Sequence, residues 1–410
     1  PAAGQVVADN PPEPAPAPSA AVPSKYKAGF VTPLEDPGHV GMRAYFQALK
    51  RTGEGGVARA LHYGDSTIAA DGLARTIRTR LQARFGNAGP GFVSAGMDPR
   101  WNKRTDVDSS RSGSWTTKTI LLGGAGGRYG LGGIVGIGSA GAYTVSRAID
   151  AAKTALPMKH LELWYQAGVG YGSLWASVDD REVLRESAAA EATDDRRFSL
   201  DVPEGFSKLA FGAEAGPVPF YGVVLESGAP GVTWEALGVI GVGSKSFSFQ
   251  NKAHFSAQMA QRKPDLIVVM LGGNEAGYPI LLSGDGSGYR PFYQGALDTI
   301  RAGAPQASCL VISPLDQGTR EETDVPRSKP TMKPMVANQR KIAAESGCAF
   351  FSAYDAMGGQ NSIVKWSSYK SPLAWADLVH LSGAGLDIIG NLLSDALLAD
   401  YDAWLAGGGA

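Results

Sequence analysis

Apolar residues in the second half of the chain form short continuous runs, and amphipathic segments separate them. Two of the runs read DLIVVML, at 265–271, and SCLVIS, at 308–313. Such runs are typical of parallel strands that are buried on both faces. The segments between and after them, such as 289–302 and 334–345, show helical spacing. This alternation predicts a parallel sheet covered by helices on both sides.

The first strand and helix of this sheet are predicted near the start of the globular part. Residues 56–63 (GVARALHY) have β character and end at Gly-Asp-Ser. Residues 67–85 then place Leu and other apolar side chains four positions apart, with arginines between them. The pattern predicts a strand, a sharp turn that carries Ser66, and a helix.

The chain from 99 to 232 follows a different pattern. It is rich in Gly, Ser and Thr and contains short apolar runs such as HLELWY (160–165) and SLWASV (173–178). Turn residues at this spacing predict an all-β module, a sandwich or jelly roll. We therefore expect an α/β domain in two parts, 29–98 and 233–410, interrupted by the β module at 99–232.

Residues 1–28 are rich in Pro and Ala and are predicted to be a disordered linker. Such a segment is typical of a tether that remains after a targeting peptide is removed. It predicts an exported protein, in the periplasm, in the cell envelope or secreted, although no targeting peptide stands in the sequence.

Composition narrows the possible partners. The formal net charge of the 410 residues is −1, and no long basic run occurs, so neither nucleic acid nor an anionic membrane is an expected partner. The longest apolar stretch, 120–142, is glycine-rich and is a poor membrane span. The two cysteines, Cys309 and Cys348, fit neither a disulfide scaffold nor a zinc site. They could bridge if their strands were neighbours, but the prediction favours buried free thiols.

Three short polar motifs follow predicted strands or precede the last helix. They are Gly64-Asp65-Ser66, Gly272-Gly273-Asn274 and Asp377-Leu378-Val379-His380. Catalytic residues of open α/β sheets gather outside the carboxyl ends of the strands. We therefore expect the three motifs to meet at one edge of the sheet.

The residue types in these motifs are those that acyl transfer requires. A serine hydroxyl is a weak nucleophile until a base takes its proton, and His380 can act as that base for Ser66. Asp377, three residues before His380, can bond the other ring nitrogen and stabilise the imidazolium. The predicted catalytic residues are therefore Ser66, Asp377 and His380, and no metal or organic cofactor is expected.

The tetrahedral intermediate needs hydrogen-bond donors for its oxyanion. The backbone N–H of Ser66 and the side-chain amide of Asn274 are two candidates. A third is a glycine N–H after the second strand, where Gly238, Gly241 and Gly243 compete. We choose Gly241, because it follows the strand by the expected offset.

These four blocks, in this order, resemble those of SGNH/GDSL-type serine hydrolases. The resemblance covers both parts of the α/β domain and implies a flavodoxin-like three-layer α/β/α fold with the site residues named above. Two positions depart from the family pattern: Thr67 follows the nucleophile, where the family has Leu, and Val239 lies two before Gly241. Neither departure removes a catalytic group.

Finer features resemble one branch of the family, the bacterial cell-wall O-acetylesterases. They include HYGDSTIAADG (62–72), LQARFGNAGPGFV (81–93), Glu275 and the tryptophans Trp366 and Trp375. In that branch a β-sandwich similar to a carbohydrate-binding module interrupts the hydrolase domain. The resemblance implies removal of O-acetyl groups from a cell-envelope polysaccharide, first of all peptidoglycan, through an acyl-serine intermediate.

Three alternatives stay open at the level of sequence. An O-acetyltransferase would use the same triad with a sugar hydroxyl as acceptor. A non-catalytic glycan-binding protein would use the β module and keep a vestigial triad. A lipase or thioesterase would prefer long acyl chains.

Overall fold

A computed structural model of the chain describes residues 32–96, 98, 102–124, 126–282, 288–320 and 325–409. The predicted linker, 1–28, lies outside them. The α-helices, numbered in chain order, are α1 (Arg43–Thr52), α2 (Ser66–Ala69), α3 (Gly72–Phe85), α4 (Lys252–Arg262), α5 (Arg290–Arg301), α6 (Met332–Glu345), α7 (Ala353–Met357), α8 (Ser362–Ser367) and α9 (Gly383–Ala406).

The strands fall into a parallel set and an antiparallel set, together with one short two-stranded pair. In chain order they are β1 (Val57–Gly64), β2 (Gly91–Ser94), β3 (Val107–Ser112), β4 (Trp115–Thr119), β5 (Ile134–Gly138), β6 (Tyr143–Ala148), β7 (Met158–Ala167), β8 (Ser173–Val178), β9 (Arg181–Ser187), β10 (Asp194–Phe206), β11 (Leu209–Ala215), β12 (Val218–Glu226), β13 (Gly231–Gly238), β14 (Leu266–Met270), β15 (Ser308–Ile312), β16 (Gly318–Thr319), β17 (Arg327–Ser328) and β18 (Ala349–Phe351).

The parallel sheet has five strands in the order β13-β1-β14-β15-β18. Gly64, the last residue of β1, is in register with Gly238 at the end of β13 and with Met270 at the end of β14. The carboxyl ends of these three strands therefore meet at one edge, and two of the predicted motifs begin there.

Side chains of this sheet alternate between two hydrophobic cores. In β14, Val268 and Met270 join the core that contains α3 and α9, whereas Ile267 and Val269 join the core that contains α4, α5 and α6. Both faces are covered, which explains why the strand shows no polar alternation. The predicted three-layer α/β/α architecture is confirmed.

The inserted residues form two antiparallel sheets, as predicted. One has the order β10-β7-β12-β5-β4, with β2 also paired to β12, and the other has the order β3-β6-β11-β8-β9. Residues of both sheets share a third hydrophobic core. β2 precedes the predicted boundary at 98/99 yet pairs with the antiparallel sheet; the domain boundaries themselves stay predictions.

The helix predicted over 67–85 is divided into α2 and α3. Asp71 lies between them with a left-handed φ of 59°. α3 then packs along α9, where its arginines pair with aspartates: Arg75 with Asp387, Arg80 with Asp395, and Arg84 with Asp402. In the described part of the chain no helix, not even the 24-residue α9, is long and apolar enough to cross a membrane.

The cysteines differ from the prediction. Cys309 lies in β15 and Cys348 immediately precedes β18, and the two strands are paired with Leu310 opposite Ala349. The two cysteines are therefore neighbours, and they form a disulfide. The preference for free thiols was wrong because the sequence does not show which strands are adjacent. The bridge lies at the amino ends of its strands, away from the edge that carries the motifs.

Candidate active site

The turn after β1 places Ser66 at the first position of α2. Asp65 caps this helix, because its side chain accepts a hydrogen bond of 2.9 Å from the Thr67 N–H. Ser66 is half-buried, whereas Asp65 is buried. The first N–H groups of a helix have no partner within it, so the Ser66 N–H is available for a ligand.

The Asp377–His380 turn is held by its own first residue. Asp377 Oδ1 accepts hydrogen bonds from the N–H groups of Val379 and His380, at 2.9 and 3.0 Å. Leu378, which follows Asp377, has a left-handed φ of 58° and a buried side chain. This conformation brings Asp377 Oδ2 to 2.8 Å from His380 Nδ1.

The other ring nitrogen of His380 meets the serine. Ser66 Oγ lies 3.1 Å from His380 Nε2, so Ser66, His380 and Asp377 form a continuous hydrogen-bonded chain. The side chains of His380 and Asp377 are 49% and 47% exposed, so this hydrogen-bonded row of side chains is accessible to solvent.

The charges of the site support this arrangement. The hydrogen bond to Asp377 raises the pKa of His380 above its ordinary value; burial opposes this, and the negative charges of Asp377 and Asp65 add to it. Burial acts to raise the pKa of Asp377, but hydrogen bonds from the His380 side chain and from the backbone of His380 and Val379 lower it to about 2. Asp377 is therefore ionised at neutral pH and favours the imidazolium.

The backbone N–H groups of Ser66 and Gly241 are the two predicted backbone donors for the oxyanion. In the described residues, no protein acceptor is within hydrogen-bond geometry of the Ser66 N–H or the Gly241 N–H. Gly241 has a left-handed φ of 79°, in the turn that follows β13. Gly238, one of its competitors, is instead the last residue of β13, and its carbonyl accepts a hydrogen bond from Asn102.

Asn274 is joined to this turn. Its side-chain amide donates a hydrogen bond of 2.8 Å to the carbonyl of Val242, the neighbour of Gly241. An amide nitrogen carries two N–H groups, so this bond orients the amide and leaves the second N–H as the candidate oxyanion donor.

The motif that contains Asn274 packs directly on the motif that contains the serine. A Cβ built on Gly273 would lie 2.9 Å from Asp65 Oδ2, so any larger residue would require the Asp65 side chain to shift. Burial raises the pKa of Asp65, and the hydrogen bonds from Thr67 oppose that rise. The close packing brings Asn274 to the same edge of the sheet as Ser66.

Glu275 contributes in a way that the sequence did not indicate. Its buried carboxylate accepts a hydrogen bond from the Ser244 N–H, so Asn274 and Glu275 hold the turn at two positions, Val242 and Ser244. Burial raises the pKa of Glu275, and the bond from Ser244 opposes it. Only the resemblance to cell-wall esterases drew attention to this residue.

The structure thus brings together the three predicted triad side chains and places Asn274 and Gly241 at the same edge of the sheet. The catalytic roles of all five residues stay predictions. In the described ranges, no group of three or more His, Cys, Asp or Glu side chains has an arrangement that would hold a metal ion.

Comparison with known proteins agrees with this geometry. The family model of the GDSL-like lipase/acylhydrolase family matches residues 209–388, a range that contains Gly241, Asn274, Asp377 and His380 but not Ser66. No curated protein matches the chain significantly.

The chain was also compared with solved structures, of which the first supports the fold. A structure of a peptidoglycan O-acetylesterase is similar over 90% of this chain and 99% of its own, with a TM-score of 0.75 and 23% identity. An acetylxylan esterase from Geobacillus stearothermophilus matches over 42% of this chain and 72% of its own, with a TM-score of 0.29 and 22% identity.

In its fold, in its hydrogen-bonded row of Ser66, His380 and Asp377, and over residues 209–388 in its sequence, the chain is similar to serine carboxylic-ester hydrolases of the SGNH/GDSL type. In fold, β module included, the chain is similar to the peptidoglycan O-acetylesterase.

Proposed function

We propose that this protein is an esterase that removes O-acetyl groups from a cell-envelope polysaccharide, most specifically peptidoglycan. The observation that carries the proposal is the contact of 3.1 Å between Ser66 Oγ and His380 Nε2, in a chain that continues to Asp377. The peptidoglycan O-acetylesterase of similar fold supports the choice of substrate.

The reaction begins when His380 Nε2 takes the proton of Ser66 as Oγ attacks the acetyl carbonyl. The oxyanion is bound by the N–H groups of Ser66 and Gly241 and by the amide of Asn274. His380 then protonates the sugar oxygen, which leaves as an alcohol. Water, activated by the same imidazole, hydrolyses the acetyl-serine and restores the enzyme.

The exposure of the site suits an ester on a polymer. About half of the His380 and Asp377 side chains is exposed, so the reacting groups lie at the surface. An acetyl group projecting from a glycan strand can reach a site of this kind without the strand entering an enclosed cavity.

The disulfide between Cys309 and Cys348 supports the export that the sequence predicted. Disulfides form and persist in oxidising compartments, whereas cytosolic thiols are kept reduced. We therefore propose that the protein acts in the periplasm, in the cell envelope or outside the cell.

The test is acetate release from O-acetylated peptidoglycan, acetylated xylan and other acetylated polysaccharides. We expect release from peptidoglycan to be fastest. Ser66→Ala protein and base-treated peptidoglycan, from which the esters have been removed, are the controls and should give no acetate.

The same assay separates the alternatives. Formation of an acetylated acceptor in place of free acetate, when an acceptor oligosaccharide is present, would indicate a transferase. Binding to peptidoglycan without hydrolysis of any ester would indicate a glycan-binding protein and would contradict the proposal.

A further inference from the structure

The turn that follows β13, residues 239–244, is called the oxyanion turn here because it carries Gly241. The segment of the inserted β module that joins β4 to β5 reaches this turn. A Cβ built on Gly241 would lie 3.1 Å from Cδ2 of Leu121, and no other side chain of the described residues comes closer. Leu121 therefore lies on the side of Gly241 that a Cβ would occupy, although it belongs to the module. Its side chain is only partly covered, at 37% exposure, and the next residue, Leu122, is 90% exposed.

This segment is attached to the hydrolase domain by backbone contacts. The carbonyl of Tyr129 accepts hydrogen bonds from His254 Nε2 and Gln258 Nε2, at 2.7 and 2.9 Å. Gly127 donates its N–H to the Phe249 carbonyl at 3.0 Å and accepts the N–H of Asn251 at 2.8 Å. The part of the segment that follows Leu121 is thereby held against the hydrolase domain.

A buried ionic cluster attaches the start of the module to the helix that follows the nucleophile. Arg78 of α3 bonds Asp71 at 2.8 Å and Asp106 at 3.1 Å, and all three side chains are mostly buried. Asp71 also accepts the N–H and hydroxyl of Thr105, both at 2.7 Å. The module is therefore fixed beside the site.

The chemistry of the substrate indicates which of its groups an apolar side chain beside Gly241 would suit. In an ester whose carbonyl oxygen is bound by the Gly241 N–H, two further groups are attached to the carbonyl carbon: the alcohol oxygen and the acyl chain. The alcohol is a sugar covered with hydroxyl groups, and the acyl group is apolar. An apolar leucine side chain is complementary to the acyl group.

We propose that Leu121, supplied by the inserted β module, bounds the acyl side of the active site and selects short acyl groups. The proposal rests on the proposed esterase function. It makes the module part of the catalytic site and Leu121 a specificity-determining residue.

The experiment measures kcat/KM for p-nitrophenyl acetate, butyrate and hexanoate. Leu121→Ala should raise the ratio of butyrate to acetate about tenfold or more, because methylene groups in an apolar pocket discriminate by factors of about 10 to 200. Leu121→Val should give a smaller rise. Val169→Ala, at an exposed apolar position elsewhere in the module, is the matched control and should leave the ratio unchanged.

An unchanged ratio in folded Leu121→Ala and Leu121→Val, or an equal loss on all three esters, overturns the role of Leu121. Thermal unfolding shows whether each variant is folded, and the conservative valine keeps the test valid if alanine is unstable. Because the ratio is measured on soluble esters, it does not depend on the glycan. Failure to release acetate from any polysaccharide would contradict the proposed substrate instead.

Discussion

Ser66 Oγ and His380 Nε2 lie 3.1 Å apart, although 314 positions separate the two residues in the chain. The distance lets a proton pass directly from hydroxyl to imidazole. The parallel sheet supplies one partner at the end of β1, and the turn before α9 supplies the other. The motifs predict that the two residues meet at one edge of the sheet, but the contact itself depends on the complete α/β layer arrangement.

Replacing the nucleophile tests this contact. In Ser66→Ala we expect kcat on p-nitrophenyl acetate to fall by about 10⁴-fold or more, because the attacking oxygen is removed. The fold should persist, since Asp65 and not Ser66 caps α2. Ser368→Ala, on the surface beyond α8, is the control and should retain full activity. Near-normal turnover by a folded Ser66→Ala protein would refute the assignment.

The pH dependence follows from the pKa of His380, which is raised above 6.5. The base acts when it is neutral, so activity is lost as the pH falls through this pKa. Asp377, with a pKa of about 2, stays ionised throughout. We expect kcat/KM, measured from about pH 5 to pH 8, to have an acid limb whose midpoint lies above 6.5. A midpoint below 6.5 would contradict the arrangement.

Asp377→Asn preserves an oxygen that can accept the N–H groups of Val379 and His380, but it places an amide NH₂ group against His380 Nδ1. The wrong tautomer is then favoured, and kcat should fall by up to about 10⁴-fold. Because the negative charge that raises the pKa of His380 is lost, the acid limb should also move to lower pH. Asp387→Asn, on α9, is the control. A change in KM alone would show that Asp377 does not orient the base.

The parallel strands and the motifs at their ends could be predicted because each has a local signature: a continuous apolar run for β14, and a polar turn for the motif at Asp65. Three features could not be predicted from the local sequence. The break at Asp71 depends on its bonds to Thr105, outside the helix. The disulfide of Cys309 depends on which strands are paired. Leu121 approaches Gly241 from the segment between β4 and β5, and nothing in that segment indicates the approach.

Glu275 is expected to act as a positioning residue through Ser244. Glu275→Gln keeps an acceptor oxygen for the Ser244 N–H and should retain most activity. Glu275→Ala removes the acceptor and should lower kcat, because the oxyanion turn loses one of its two supports. We expect kcat to fall by about 10- to 100-fold, which is less than the loss of about 10²–10³-fold that is typical of a missing oxyanion donor. KM should change little.

Measurement of kcat and KM for both variants, with thermal unfolding as the folding check, decides this prediction. Rescue by glutamine is the outcome that a hydrogen-bond role requires. If glutamine and alanine lower kcat equally, the charge of Glu275 or the packing of its side chain matters, and the proposed support of the turn is wrong.

Removing the disulfide should cost stability and leave catalysis intact. Cys309 and Cys348 are 39 positions apart, and closing a loop of this length is worth about 2–4 kcal/mol of unfolding free energy. The bridge lies at the amino ends of β15 and β18, whereas the triad lies at the opposite edge. The double variant Cys309→Ala/Cys348→Ala should therefore unfold at lower urea concentration, with unchanged kcat/KM at low temperature.

Dithiothreitol should lower the stability of the parent protein to that of the double variant and have no further effect on the latter. A parent protein whose urea midpoint does not respond to dithiothreitol would contradict a stabilising bridge.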